Sequence, residues 1–442
     1  MAGHEAMSRE PDHVWVAADS GQFSLRYVGG IAHIDGVDVR RIAEEVGTPS
    51  YAYGAAHVEA RYRELAEAVG SVPTSICYAV KANGSLALLR LLARQGAGAD
   101  IVSGGELERA LAAGIPPSKI VFSGVGKTDA EIDAAIAADI RSINVESAGE
   151  LERVGRRAHS LGKTARVCLR VNPDVDPETH PYLATGLRES KFGIAMGDAL
   201  ALAVAAHGNE SLELVGLACH IGSQIAEATP YLDSIARVRT IVDALRERGI
   251  RLRQLDLGGG IGIPYGRDDA SIDVSAWGRA VTQAVRDLEL ELVLEPGRWL
   301  VGNAGVLLTR VIGVKHGEDR SFVIVDAAMN DLLRPALYGS YHAIVPVVLP
   351  SPEAPVRSVD VVGPVCECGD FLAQDRPLSA VEPGDLLAVL SAGAYGMTMA
   401  STYNTRPLPA EVLVKGAAFA LTRRRKSVAE LLAEEQIPDW MT

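Results

Sequence analysis

Residues 75–114 read SICYAVKANGSLALLRLLARQGAGADIVSGGELERALAAG. The run SICYAV is apolar and suited to a strand. It breaks at Lys81, and a helical segment separates it from a second β-like run, ADIVS. Uninterrupted apolar runs, rather than alternating ones, are the mark of parallel strands covered on both faces.

The same alternation extends outward to about residue 298. KIVFSG, SINVES, ARVCLRVN, VGLACHIG, LRQLDLGGG and ELVLEPG continue the strand series, with helical segments between most of them. Thr128-x-x-Glu131 and Ser147-x-x-Glu150 read as capping boxes, and Ser103-Gly-Gly-Glu106 reads the same way. Thr229-Pro230 places a cap before a first-turn proline, and Gly249 marks the expected end of that helix. Eight alternations over roughly 225 residues predict an α/β fold with a (β/α)8 TIM-type barrel, in preference to an open doubly wound sheet.

Beyond residue 305 the texture changes. VLLTRVIGVKH, SFVIVDAA, RSVDVVGPV, DLLAVLSAG and EVLVKGAAFALTRR read as strands separated by turn residues. A β-rich, barrel- or sandwich-like domain is expected there, joined by the N-terminal hairpin-like stretch FSLRYVGGIAHIDGVDV. The expected division is 1–47 for the N-terminal segment of the β domain, 48–305 for the barrel and 306–442 for the rest of the β domain.

Bulk properties narrow the function. Hydrophobic residues make up 48% and charged residues 22% of the 442-residue chain, ordinary values for a globular enzyme. A net charge of -13 argues against nucleic acid or an anionic membrane as partner, since both need a basic surface. No apolar run approaches the ~18 residues of a membrane helix. The opening MAGHEAMSREPDHVWV lacks the basic and apolar regions of a secretory signal. The 5 cysteines are odd in number and suit reduced thiols, so a cytoplasmic location is expected.

Active sites of such barrels form at the carboxyl ends of the strands. Lys81 follows strand one, His220 and Ser223 follow strand six, Gly258-Gly259-Gly260 follows strand seven, and Glu295-Pro296-Gly297-Arg298 follows strand eight. Glycine-rich turns after the last two strands let backbone N–H groups approach a phosphate. A lysine facing such a cradle points to a Schiff base with pyridoxal 5'-phosphate, and Glu295 is placed to keep a pyridine nitrogen protonated. Taken singly, a lysine there is usually a solvated strand end, three glycines are often just a tight turn, and His220 reads equally well as a core histidine. The weight lies in their coincidence at one rim.

YAVKAN, HIGSQ, LDLGGGIGIPY, EPGR, GPVCECGD and GAYGMTMASTYN, in that order, resemble the pyridoxal-phosphate-dependent diaminopimelate decarboxylases, over about residues 30 to 435. The resemblance implies that Lys81 carries the cofactor and that His220 stacks on its ring. It further implies that Ser223 and Gly258–Gly260 hold the phosphate with Tyr395, and that Glu295 pairs with the ring nitrogen. In NDLLRPALY, Arg334 and Tyr338 match positions that grip the far end of the substrate, joined by Arg298 and Tyr395. Guanidinium forks ask for a carboxylate. Of the motif usually read C-E-S-G-D, Cys366 matches the proton donor and Glu367 the group that binds the distal ammonium. Cys368 stands where serine is usual, with no assigned role. A C-x-C pair without further ligands is a poor zinc site, and no metal is expected. The resemblance implies decarboxylation of meso-2,6-diaminopimelate to L-lysine by a homodimer with shared active sites. A related decarboxylase for another substrate with a distal carboxylate, a non-catalytic cofactor-binding relative and a metal-dependent barrel hydrolase are the rival readings.

Overall fold

The strand series of residues 75–298 closes on itself. The computed structural model describes residues 10–18, 21–175, 191–318 and 320–441; residues 1–9, part of the stretch inspected for a leader, lie outside the described residues. The barrel strands are β1 (Thr74–Ala79), β2 (Gly98–Ile101), β3 (Ile120–Phe122), β4 (Ser142–Val145), β5 (Ala165–Asn172), β6 (Leu212–Ala218), β7 (Gln254–Asp256) and β8 (Glu291–Leu294). Each pairs in parallel with its sequence neighbour, β8 pairs with β1, and β4 pairs onward to β5, so no edge remains. Their residues are almost all buried, as continuous apolar runs require.

The two ends of the barrel are polar for different purposes. At the amino ends, Arg141 bonds Gln254 Oε1 (2.9 Å) and Ser75 Oγ (3.1 Å) and pairs with Glu291 (2.6 Å). These side chains tie the starts of β1, β7 and β8 together. The carboxyl ends carry the acids and amines described below.

Helix signals hold in part. Thr128 and Glu131 form the full reciprocal box. Ser103 and Ser147 accept from the N–H groups of Glu106 and Glu150, but neither glutamate completes its box. Glu106 reaches Val102 N, and Glu150 bonds Lys127 Nζ and Glu146 N instead. Thr229 is not a cap: the helix Thr229–Glu247 is preceded by Ala228, which offers no side-chain oxygen. That helix does end before Gly249, whose φ of +77° suits glycine.

Two compact units divide the chain. One is Glu59–Ile263 with Ala270–Leu300, the barrel; the other is Met1–Val58, Pro264–Asp269 and Val301–Thr442, rich in strands. In the β unit the hairpin Leu25–Val28/Ile31–Ile34 turns through Gly29 and Gly30, both at positive φ as a two-residue turn demands. The strand Ser50–Gly54 pairs antiparallel with Gly305–Leu308 and parallel with Ala410–Val414. Both chain ends therefore share one sheet, and the handover to the barrel unit falls at Val58. The core of the unit gathers Ile34, Val37 and Ile42 with Val306, Leu308, Val345, Leu390 and Val412. Among the described residues, no helix is long and apolar enough to cross a membrane.

Candidate active site

The carboxyl rim of the barrel brings together every site residue expected in that unit. Lys81, in the short turn after β1, donates from Nζ to Asp100 Oδ2 of β2 at 2.8 Å. Arg298, following β8, donates to Ser223 Oγ at 3.1 Å, and the N–H of Gly259 donates to His220 Nδ1 at 3.2 Å. The turns after β7 and β8 are joined by Glu295 N to Gly258 O, 2.7 Å, and Ala79 N of β1 donates to Pro296 O at 3.1 Å. A Cβ on Gly297 would stand 3.0 Å from that of Ala82, so glycine lets this turn close against the one bearing Lys81.

Burial sets the protonation states. Glu295 is 7% exposed and Asp256, the last residue of β7, is 0% exposed. Burial pushes the Glu295 carboxyl far above its ordinary value; Asp100 and Asp256 add to the push, and Lys81 opposes it. Asp256 is shifted upward mainly by burial as well. Both buried acids are thus harder to ionise than they would be in water. His220 is pushed well below its usual range by burial, then by Arg170 and Lys81, and it stays a neutral imidazole whose Nδ1 accepts.

These residues fit a pyridoxal phosphate. Cβ atoms at Gly258 and Gly260 would lie 2.6 Å from His220 Nδ1 and 2.5 Å from Gly222 O, and one at Gly259 would collide with Glu295 O. With φ of +66° and +99° at Gly258 and Gly260, only glycine makes this turn without strain. An amine on one side and a buried acid pair calling for a cation on the other match an aldehyde cofactor with a basic ring nitrogen.

In the β unit, Arg334, Tyr338 and Tyr395 come together. Arg334 is 5% exposed, and its Cζ lies 5.3, 5.9 and 6.0 Å from the ring centroids of Tyr265, Tyr338 and Tyr395. It also donates to Ser340 Oγ at 3.2 Å. Cys366 and Glu367 occupy a separate turn between the strands Val356–Val362 and Phe371–Ser379. Both are exposed, as is Cys368, and all five thiols of the chain are free. Cys366 and Cys368 thus differ from Cys77, Cys168 and Cys219, which sit in apolar, buried positions.

Comparison with known proteins gives the family. Residues 55–302 match the family profile described as pyridoxal-dependent decarboxylase, pyridoxal binding domain. The diaminopimelate decarboxylase of Pseudomonas aeruginosa is 53% identical over 403 residues, 91% of this chain and 96% of that protein. The chain belongs to the diaminopimelate decarboxylases. The enzyme of that name from Neisseria meningitidis serogroup A is 50% identical, covering 89% of this chain and 96% of its own. The crystal structure of the m. jannaschii diaminopimelate decarboxylase in co-complex with L-lysine superposes with a TM-score of 0.91 at 38% identity, covering 96% of this chain and 100% of that one.

Some polar residues of this diaminopimelate decarboxylase chain escaped the sequence reading. Asp100, Ser123, Asn144 and Asp256 lie in or at the ends of strands and contact Lys81 or Glu295. Their signal was a charge or amide inside an apolar strand run, as in GADI and SINV. Asp370, the last residue of GPVCECGD, was passed over too. Its Oδ2 accepts from Val365 N and its Oδ1 from Met329 N, both at 2.7 Å, so it fixes the Cys366 turn to the segment leading to Arg334.

Proposed function

We propose that this chain releases CO2 from meso-2,6-diaminopimelate and forms L-lysine, the final step of lysine biosynthesis by that route, with pyridoxal 5'-phosphate as cofactor. The observation that carries the reading is the rim, where one lysine and one buried acid pair flank a glycine cradle. Lys81 holds the cofactor, with Asp100 fixing the direction of its amine. Ser223, the backbone of Gly258, Gly259, Gly260 and Gly297, and Tyr395 hold the phosphate. Arg298, bonded to Ser223, adds its charge to the anions gathered there. His220 covers one face of the ring, and being neutral it leaves the ring's charge to Glu295. Bound there, the cofactor supplies a sink for the electron pair left on the α-carbon when CO2 departs.

Arg334, with Tyr338, Tyr395 and Arg298, grips the distal carboxylate of the substrate. Glu367 binds the distal ammonium, and Cys366 delivers a proton from Sγ to the α-carbon. The family resemblance supports a homodimer in which the Cys366 turn of one subunit completes the barrel site of the other. The same resemblance and the free thiols support work in the cytoplasm.

The test is direct. Purified protein with added cofactor is expected to release CO2 and L-lysine from meso-diaminopimelate, and borohydride reduction is expected to label Lys81. Absence of CO2 from a protein that carries the cofactor on Lys81 would overturn the substrate assignment. Label on another lysine would overturn the site.

A further inference from the structure

Asn144 lies on β4 and is 1% exposed. Its Nδ2 stands 3.1 Å from Ser123 Oγ, 3.2 Å from Asp256 Oδ2 and 3.4 Å from Glu295 Oε1. Ser123 Oγ in turn donates to Glu295 Oε1 at 3.3 Å. The residue is held from its backbone as well: its carbonyl accepts Lys127 Nζ at 2.8 Å, and that buried ammonium also bonds Gly124 O at 2.6 Å and Glu150 Oε1 at 3.0 Å. Among the described residues, Asn144 is the side chain that donates to both acids of the pair.

An ionised carboxylate only accepts, and an amide nitrogen carries two hydrogens. Asn144 Nδ2 therefore has two hydrogens for three oxygens, those of Ser123, Asp256 and Glu295. Beside a protonated ring nitrogen both carboxylates would be charged as well as buried, and each would need a donor. Gly258 N already serves Asp256 Oδ1 at 2.8 Å. The other ionisable groups acting on the pair are Asp100, Lys81 and the thiols Cys77, Cys168 and Cys219. Of these, Asp100 opposes two charges and Lys81 favours them.

We infer that Asn144 is a positioning residue for the reaction: its two amide hydrogens serve Asp256 and Glu295 when both are ionised, and so keep Glu295 an anion toward the cofactor's ring nitrogen, with Ser123 as its second donor. The inference rests on the reading of Glu295 as the partner of that nitrogen. It is tested on full-length protein by titrating pyridoxal 5'-phosphate and following its absorption spectrum in Asn144→Leu, Glu295→Gln and the double variant. Leucine keeps the number and branching of the side-chain heavy atoms and removes both donors. Asn144→Leu is expected to raise the cofactor Kd roughly tenfold or more and to shift the absorption band, as loss of hydrogen bonds to charged groups does. In the Glu295→Gln background the same substitution should change Kd by less than about twofold, because there is no second charge to serve.

Equal effects in the two backgrounds would show that Asn144 acts on the fold and would overturn the inference. So would an unchanged Kd in Asn144→Leu when Glu295→Gln alone weakens binding. If Glu295→Gln leaves both Kd and spectrum untouched, the reading of Glu295 fails and the inference falls with it. Should Asn144→Leu not fold, Ser123→Ala carries the test, with a rise of roughly threefold in Kd that vanishes beside Glu295→Gln.

Discussion

The barrel rim and the Cys366 turn are both dense in chemistry, and they differ in exposure. At the rim, Glu295, Asp256 and Arg298 are buried, and each bonds another rim residue. On the turn, Cys366, Glu367 and Cys368 all face solvent; the backbone is fixed through Asp370 and through Cys366 N to Asn404 Oδ1 at 3.1 Å, and Glu367 Oε1 accepts from Gly369 N at 3.4 Å. In a low-dielectric site, modest contacts become decisive, because an unmatched charge has nowhere else to go. A side chain in water has no such constraint and acquires its environment only when something covers it. On the function proposed above, most of the cofactor's partners belong to the barrel unit, with Tyr395 added from the β unit, while the proposed proton donor stands on an exposed turn.

The largest effect that separates the two regions is expected from Cys366→Ala. Turnover should fall roughly 10²–10⁴-fold, the usual worth of one positioned acid, while the cofactor Kd and spectrum stay those of the parent. A joint fall in turnover and cofactor affinity would break the comparison, since the turn would then be part of the cofactor site.

Arg334→Ala sharpens it next. The guanidinium is buried among tyrosine rings like a rim residue, though it belongs to the β unit. Steady-state kinetics should show KM raised roughly 10²-fold, as when a buried carboxylate loses its cation. Arg334→Lys should lie between the two, because a point charge replaces a fork. An unaltered KM would refute the grip on the distal carboxylate.

What was legible in the sequence follows the same divide. SICYAV through ELVLEPG announced eight parallel strands because both faces of each strand are covered by apolar neighbours, and local composition carries that fact. Lys81, His220 and the glycines were legible from their position just past strand ends. Asn144 and Asp256 were not, since their meaning depends on partners far off in sequence that only closure of the barrel brings within 3.4 Å. Glu150 shows the opposite failure. Its spacing from Ser147 matched a capping box, but a buried ammonium at Lys127 competes for the carboxylate and wins, because an unmatched buried charge costs more than a missing cap. Ser50–Gly54 was placed in the barrel segment for a related reason: nothing local distinguishes a strand that pairs with residues 305–308 and 410–414.

The smallest expected effect is at Cys368. With both thiols reduced, Cys368→Ser should leave turnover within about twofold of the parent, as an exposed, near-isosteric change does. By the family resemblance, serine is the residue expected at this place. Oxidation should separate the two proteins. Treated with diamide, which takes up the two electrons and two protons released as the thiols join, the parent has a second exposed thiol two residues from Cys366. It is expected to lose turnover and to regain it with dithiothreitol, whereas Cys368→Ser keeps its turnover under the same treatment. The barrel unit's buried cysteines, Cys77, Cys168 and Cys219, whose thiols burial pushes above their ordinary range, should stay silent throughout. If Cys368→Ser instead lowers turnover tenfold under reducing conditions, the second thiol works in the reaction itself, and the turn is no longer a one-acid device set against a many-partnered rim.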